Sequence, residues 1–463
     1  MNQLLIKNGQ VFWKGSFTEM DIIVNDGLIK ELMFSNRREP LKDTFFHKVI
    51  DAKESFIVPG FIDSHVHFND PGRDNWEGFE TGSQAAAAGG ITTVFDMPLN
   101  SSPSVVTSSI LAGKKKHIRT RSTIDFGLWG GITSHNVHNE TELKAMKQMG
   151  IVGFKAFLSE SGISDFPYLR KKELKEAMEI TNKLDSILAL HAEDNVSIIK
   201  NTSKLLSNRR NDRRAFLESR PLECEELAVR TALELVGETG ASVHFVHVSS
   251  PKAIEEIHEA KQRGMDVTAE ICPHYLLFDE EDFVRIGPML KCAPPIRKNE
   301  TVDKLWECVK AGTIDTVGSD HSPCLNSMKT VGDKNIWEAW GGIQGVQFGF
   351  PFFIDESLKR GIPLERILPF FTSNVSKRFH LGGRKGIIDA GYDADFTIIN
   401  PNSGTKVSKS SILSKNKFTP YENMTMNIAV ETTIVRGEVV YGKEQILGKP
   451  GDGKEIISSL KIR

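Results

Sequence analysis

Two histidines one residue apart, His65 and His67, close the apolar run that begins at Phe61. In an extended chain residues i and i+2 point to the same face, so both imidazoles can reach one metal ion at the strand's C-terminal end. Among 13 histidines such a pair carries little weight alone. Position adds to it: His191 ends ILALH, His247 ends SVHFVH and Asp320 ends IDTVGSD, each at the close of an apolar run. Each residue taken singly also reads as an ordinary buried side chain, but four imidazoles and a carboxylate together suit zinc or a similar divalent ion. Lys155 lies inside the apolar run 151–158, where an ammonium is costly to bury and repels cations. Either it snorkels to the rim, or it has condensed with carbon dioxide to a carbamate, which inverts its charge and lets it bridge two metals. His244, at odd spacing before His247, points the other way and reads as structural, whereas His274 and His321 lie near the rim as orienting groups or substrate contacts. The chain has no P-loop, no G-x-S-x-G elbow and no G-x-G-x-x-G after a strand; Ala85–Gly90 reads as a helix ending at glycines.

These residues need a frame that gathers strand ends. Between Gly60 and Asp320 apolar, β-branched runs recur at Phe61–Val66, Thr92–Met97, Thr123–Leu128, Ile151–Phe157, Ile187–Leu190, Ser242–Val246, Asp266–Cys272 and Ile314–Gly318. Helical signals lie between them, as from Pro221 to a stop at Gly237. Eight strand-then-helix units predict a (β/α)8 TIM-type barrel, an α/β fold that commonly occupies ~250 residues and whose sites lie at the strands' C-terminal ends; an open doubly wound sheet is the alternative. The ends differ. Gln3–Lys7, Met20–Val24 and Ile29–Met33 surround an Asn25-Asp26-Gly27 turn, while Gly391–Asn400 and Thr432–Tyr441 read as strands, with a turn at Arg436-Gly437. A small β-sandwich domain built from both termini, residues 1–54 and 386–450, is expected beside a metal-binding barrel over residues 55–385, with Pro401–Asn423 as irregular connection.

Composition narrows the classes. Across 463 residues, 58 Lys+Arg stand against 60 Asp+Glu for a net charge of −2, which argues against nucleic acid or a membrane surface as partner. The basic runs Lys114–Lys116 and Arg209–Arg214 read as solvated faces. At 39% hydrophobic and 25% charged, the chain falls among ordinary globular proteins. No stretch approaches the ~20 apolar residues of a membrane span, and MNQLLIKNGQ lacks a signal-peptide pattern, so a cytoplasmic location is expected. Five widely spaced cysteines without C-x-x-C predict unreactive thiols, not a disulfide framework or a cysteine-built zinc site.

Taken with GFIDSHVH at 60–67, GFKAF at 153–157, HAE at 191–193, HVSS at 247–250 and DHSP at 320–323, the constellation resembles the cyclic amidohydrolases over nearly the whole chain, GIIDAGYDAD at 386–395 included. The resemblance implies hydrolysis of a cyclic amide or ureide by two divalent metal ions, zinc first, with cobalt, manganese or iron as alternatives. It implies that His65, His67 and Asp320 hold one metal, that His191 and His247 hold the other, that carbamylated Lys155 bridges them, and that Asp320 is the catalytic proton carrier. It also suggests a homotetramer. Dihydroorotases usually carry Arg where this chain has Asn69, and hydantoinases and dihydropyrimidinases usually carry Tyr where it has Glu160. DMPLNS at 96–101, KAFLSESG at 155–162 and KCAPPIR at 291–297 are instead similar to allantoinases. That resemblance implies allantoin as the small-molecule substrate, with Asn69, Asn100 and Ser161 as neutral polar contacts. A dihydropyrimidinase or hydantoinase, then a dihydroorotase, are the alternatives within the family; a noncatalytic scaffold that has lost its metals is the alternative outside it.

Overall fold

The computed structural model describes residues 3–35 and 43–457. Its central layer is the expected barrel. The strands are Phe61–Val66, Ile91–Asp96, Asp125–Leu128 continued by Gly130–Gly131, Phe154–Phe157, Leu188–His191, Val243–Phe245, Val267–Ile271 and Thr316–Val317, all paired in parallel. Every residue in them is buried, as expected of parallel strands covered on both faces by helices. Two seams interrupt the ladder. The third strand bends at Trp129, whose amide donates to the Asp96 carbonyl at 3.0 Å. Between the last and first strands, the His67 amide donates to the His321 carbonyl at 2.7 Å, so the barrel closes at the rim that carries the candidate ligands.

The predicted helix beginning after Pro221 spans Leu222–Thr239 and runs through Gly237. It stops at Gly240, which takes φ 68° and donates to the Val236 carbonyl at 2.8 Å, the left-handed cap that glycine adopts without a Cβ penalty. One charge assignment is corrected. Lys114 is not on a solvated face: it lies on the buried stripe Leu111, Lys114, Ile118 of helix Ser108–Ile118, with Nζ 2.5 Å from Asp96 Oδ2. Asp96 draws it inward, because a buried carboxylate needs a buried cation. Arg210 and Arg214 do stay at the surface, paired with Asp212, Glu218 and Glu281.

Strands from both termini join one nine-stranded sheet. Phe56–Pro59 pairs antiparallel with Phe396–Asn400, Gln3–Trp13 pairs antiparallel with Ser16–Asn25, and the predicted turn Asn25-Asp26-Gly27 joins Ser16–Asn25 to its antiparallel partner Leu28–Phe34. Ile6, Ile22, Ile57, Phe396, Ile398 and Ile434 share a core of their own. The turn at Arg436-Gly437 joins Ala429–Val435 to Glu438–Gly442 as expected. Pro401–Asn423 is mostly irregular, carrying only the short strand Thr405–Lys406 and one helical turn. The chain then returns to the barrel, where the Phe126 amide donates to the Lys454 carbonyl at 3.0 Å. At the N-terminal end of the third strand Lys385 sits among Asp125, Asp393 and Asp395, 2.6 Å from Asp125 Oδ2. These three carboxylates could hold a metal by spacing, but Lys385, Arg384 and Arg436 already pair with them. All five cysteines are free, four of them buried. Among the described residues no helix is long and apolar enough to cross a membrane.

Candidate metal centre

Five of the six expected ligands lie at or just beyond the C-terminal ends of the first, fifth, sixth and eighth strands, Lys155 lies within the fourth strand Phe154–Phe157, and all six are buried. His65 Nε2 lies 3.2 Å and His67 Nε2 3.4 Å from Asp320 Oδ1. His191 Nδ1 lies 3.0 Å from His247 Nε2. Two donors on one tetrahedral zinc, each ~2.1 Å from the ion, stand ~3.4 Å apart, so both groups fit a shared ion. The His65 and His247 rings, 5.4 Å apart, bring the two groups together. Backbone strain marks the site: His247 and Asp320 take φ of 41° and 44° although neither is glycine.

Carboxylates behind the rings set the tautomers. Glu270, on the seventh strand, accepts from Ser64 Oγ at 2.8 Å and meets His65 Nδ1 at 2.8 Å. Burial pushes its pKa up, but the His65 and His244 rings outweigh that and hold it far below the usual range. An ionised Glu270 makes Nδ1 of His65 the protonated nitrogen and frees Nε2 as ligand. Glu193 does the opposite for His191: its Oε2 lies 2.8 Å from Nε2, leaving Nδ1 free. Burial raises Glu193, yet Arg220 and His191 bring it down to about 2. Burial, with smaller contributions from neighbouring cations, depresses the pKa of His65, His191 and His247, so their ring nitrogens are free to ligate at neutral pH.

Lys155 fits the carbamate reading. Its Nζ is buried, has no hydrogen-bond partner among the described residues, and lies 5.0 Å over the Phe157 ring. Burial lowers its pKa to about 7 against the opposing pull of Asp320 and Glu270, so a reactive neutral amine is accessible at neutral pH. Asp320 stays ionised: burial raises it, but His65 and His67 hold it at about 2.

The three expected substrate contacts differ. Asn69 (φ 65°) donates through Nδ2 to the Pro323 carbonyl at 3.0 Å and leaves a buried Oδ1 without a partner among the described residues. Asn100 reaches Ser322 Oγ at 3.3 Å. Ser161 Oγ turns into its own loop, donating to the Phe166 carbonyl at 2.7 Å and accepting from the Ile163 amide at 3.2 Å. Glu160 is exposed, its amide donating to Asn195 Oδ1 at 3.3 Å. His244 sits between Thr268 and Glu270, as its odd spacing implied. His321 accepts from the Gly345 and Val346 amides, while His274 is buried with neither ring nitrogen partnered among the described residues. Glu193 and Glu270 were not among the sequence candidates. Glu270 carries the same signal as Lys155, a charge inside the buried run VTAEI.

An Amidohydrolase family model matches residues 56–440, which is most of the chain. The chain belongs to the amidohydrolase family. Among its curated relatives in that family, the allantoinase of Bacillus velezensis is 39% identical over 95% of this chain and 94% of its own length. The allantoinase of Deinococcus radiodurans is 41% identical over 87% of this chain and 88% of its own. Among solved amidohydrolase structures, the L-hydantoinase (dihydropyrimidinase) of Arthrobacter aurescens superposes with a TM-score of 0.94 at 33% identity, over 99% of this chain and 100% of that one. The dihydropyrimidinase of Brevibacillus agri superposes with a TM-score of 0.91 at 26% identity, over 99% of each chain. The predicted barrel with a terminal β domain is the fold of these relatives.

Proposed function

We propose that this amidohydrolase is an allantoinase, a hydrolase that opens the hydantoin ring of allantoin to allantoate. The observation that carries this reading is a buried rim of His65, His67, Lys155, His191, His247 and Asp320 in a chain whose near-full-length relatives are named allantoinases. In this reading, His65, His67 and Asp320 would hold one divalent ion, zinc foremost, with cobalt, manganese or iron able to replace it; His191 and His247 would hold the second, and Lys155, carbamylated, would serve both. Bound there, such ions polarise a carbonyl and lower the pKa of a bound water.

The chain's own groups do the rest. With Oδ1 turned to His65 and His67, the other oxygen of the Asp320 carboxylate accepts a proton from the attacking water and delivers it to the leaving ring nitrogen. The water's oxygen bonds to the amide carbon, the ring C–N bond breaks, and the products are a carboxylate and a ureido N–H. Glu270 and Glu193 aim the His65 and His191 rings, and burial keeps those rings neutral. The unpartnered Oδ1 of Asn69 gives the ring or its ureido arm a neutral acceptor, and Asn100 lies beside it through Ser322. Ser161 serves by shaping the loop after Lys155. Residues 1–54 and 386–450 act as scaffold to the barrel of 55–385, in a cytoplasmic homotetramer. The hydantoinase likeness of the solved relatives supports a second reading in which the ring lacks the ureido arm. To test the first reading, the protein is stripped of metal, refilled with zinc, cobalt or manganese, and given allantoin. Ring opening that disappears on stripping and returns on refilling supports it; refilled protein that leaves allantoin intact overturns it.

A further inference from the structure

One buried ion network holds the His191 ring from behind and fastens the chain at Ser249, two residues beyond His247. Glu193 Oε2 meets His191 Nε2 at 2.8 Å and also accepts from Arg220 Nη1. The Arg220 carbonyl in turn accepts from Arg297 Nη1 at 2.6 Å. Arg297 Nε donates to Ser249 Oγ at 2.9 Å, and its Nη2 lies 3.3 Å from Glu225 Oε2. Glu225 Oε1 accepts from the Ser249 amide at 2.7 Å, and Oε2 from Ser249 Oγ at 2.6 Å. Ser249 stands two residues beyond His247, which takes a left-handed φ of 41°.

Two carboxylates and two guanidiniums balance in charge. Glu193, Glu225 and Arg297 are buried, and only the Arg220 side chain, 14% exposed, approaches the surface. Glu225 lies in the first turn of helix Leu222–Thr239 and Arg220 just before it, so Glu193 and Arg297 meet the chain at that helix's start. His65 is held differently, by Glu270 with Ser64 and His244, and the two supports share no residue.

We infer that Glu193, Arg220, Glu225 and Arg297 are positioning residues forming a brace that sets metal retention at the His191/His247 position independently of the His65/His67/Asp320 position. The inference rests on the binuclear reading above. Glu193 fixes the tautomer that offers Nδ1, and Glu225 with Arg297 fixes the chain at Ser249, two residues beyond His247. Outer partners of metal-bound imidazoles typically contribute 10–100-fold to metal affinity. A brace serving only one position therefore makes the two metals separable by mutation.

The test challenges zinc-loaded full-length protein with an excess of a chromophoric chelator and follows zinc release. The parent should release two zincs per chain in two phases. Glu193→Gln and Arg297→Lys should each speed one phase 10–100-fold and leave the other unchanged. Glu270→Gln should speed the other phase, which assigns the two. Arg220→Gln, at the network's outer end and least disruptive to folding, should speed the same phase as Glu193→Gln by a smaller factor. Histidine 15N spectra of the metal-free protein should lose the Nε2-protonated signature of His191 in Glu193→Ala and recover it in Glu193→Asp. Both phases changing together, or neither changing, overturns the brace. A parent that holds only one zinc per chain overturns the binuclear reading instead.

Discussion

Gly318 tests how tightly the His65 support is built. A Cβ placed there would lie 2.6 Å from Glu270 Oε2 and 2.7 Å from Glu270 Cδ, closer than such atoms pack. Gly318 is not in the left-handed region, so alanine suits its backbone and the clash alone acts. Glu270 cannot yield freely, because Ser64 and His65 each hold it at 2.8 Å. Gly318→Ala should therefore cost about 1–3 kcal/mol of stability, the usual range for overpacking. A carboxylate displaced by several tenths of an ångström turns His65 with it, and misplacements approaching 1 Å cost up to about 100-fold in rate. A fall of about 10–100-fold in kcat/KM is expected at full zinc. Gly113→Ala is the control: it lies in helix Ser108–Ile118, nothing stands within 4 Å of its added Cβ, and it should gain roughly 0.4–1 kcal/mol. Urea midpoints and steady-state kinetics of the two variants decide the matter. If Gly318→Ala matches Gly113→Ala in both measurements, Glu270 is not the fixed support described.

Further outcomes follow from the same geometry. Lys155→Ala should abolish ring opening, and short carboxylic acids in the assay buffer should restore part of it by replacing the carbamate; full activity without them would remove the bridging role. Asp320→Asn should lower kcat by about 10²–10⁴-fold, the range for a lost general acid–base group, as read from single-turnover kinetics. Lys114→Met leaves Asp96 buried without its cation and should cost about 3–5 kcal/mol in chemical unfolding. Burial lowers the pKa of Lys329 to about 8, below the 10.5 of an exposed lysine. Between those values the unfolded chain binds a proton that the folded chain has released, so the Lys329 contribution makes stability rise with pH across that window, by about 3 kcal/mol at most. Lys329→Met should flatten that rise in unfolding curves taken from pH 7 to 10.5; an unchanged slope would contradict it.

The barrel was legible because its strands are buried on both faces, and such strands must be continuous apolar runs. Phe61–Val66 is found as predicted, while Ile314–Gly318 shrinks to Thr316–Val317 because ladder pairing ends before the apolar run does. The ligands were legible for a related reason: a charge or imidazole closing an apolar run has to meet something. Glu270 obeyed that rule and was passed over because VTAEI is neither a histidine pair nor a terminus. Lys114 was misread because a run of lysines hides the helical period that turns one of them inward, and its partner Asp96 lies on another element. The network from Glu193 through Arg297 joins residues far apart in sequence through side chains and the Arg220 carbonyl, and no local pattern announces such a junction. Ser161 shows the reverse limit: a polar residue in a site loop spent its hydroxyl on the loop itself.

The most direct measurement gives the zinc-loaded protein allantoin, hydantoin, dihydrouracil and dihydroorotate at equal concentration and compares kcat/KM for ring opening. Allantoin should be turned over well above the other three. A preference for another ring would contradict the assignment of substrate while leaving the metal centre standing, and no ring opened by fully loaded protein would contradict the account of the site as a hydrolase.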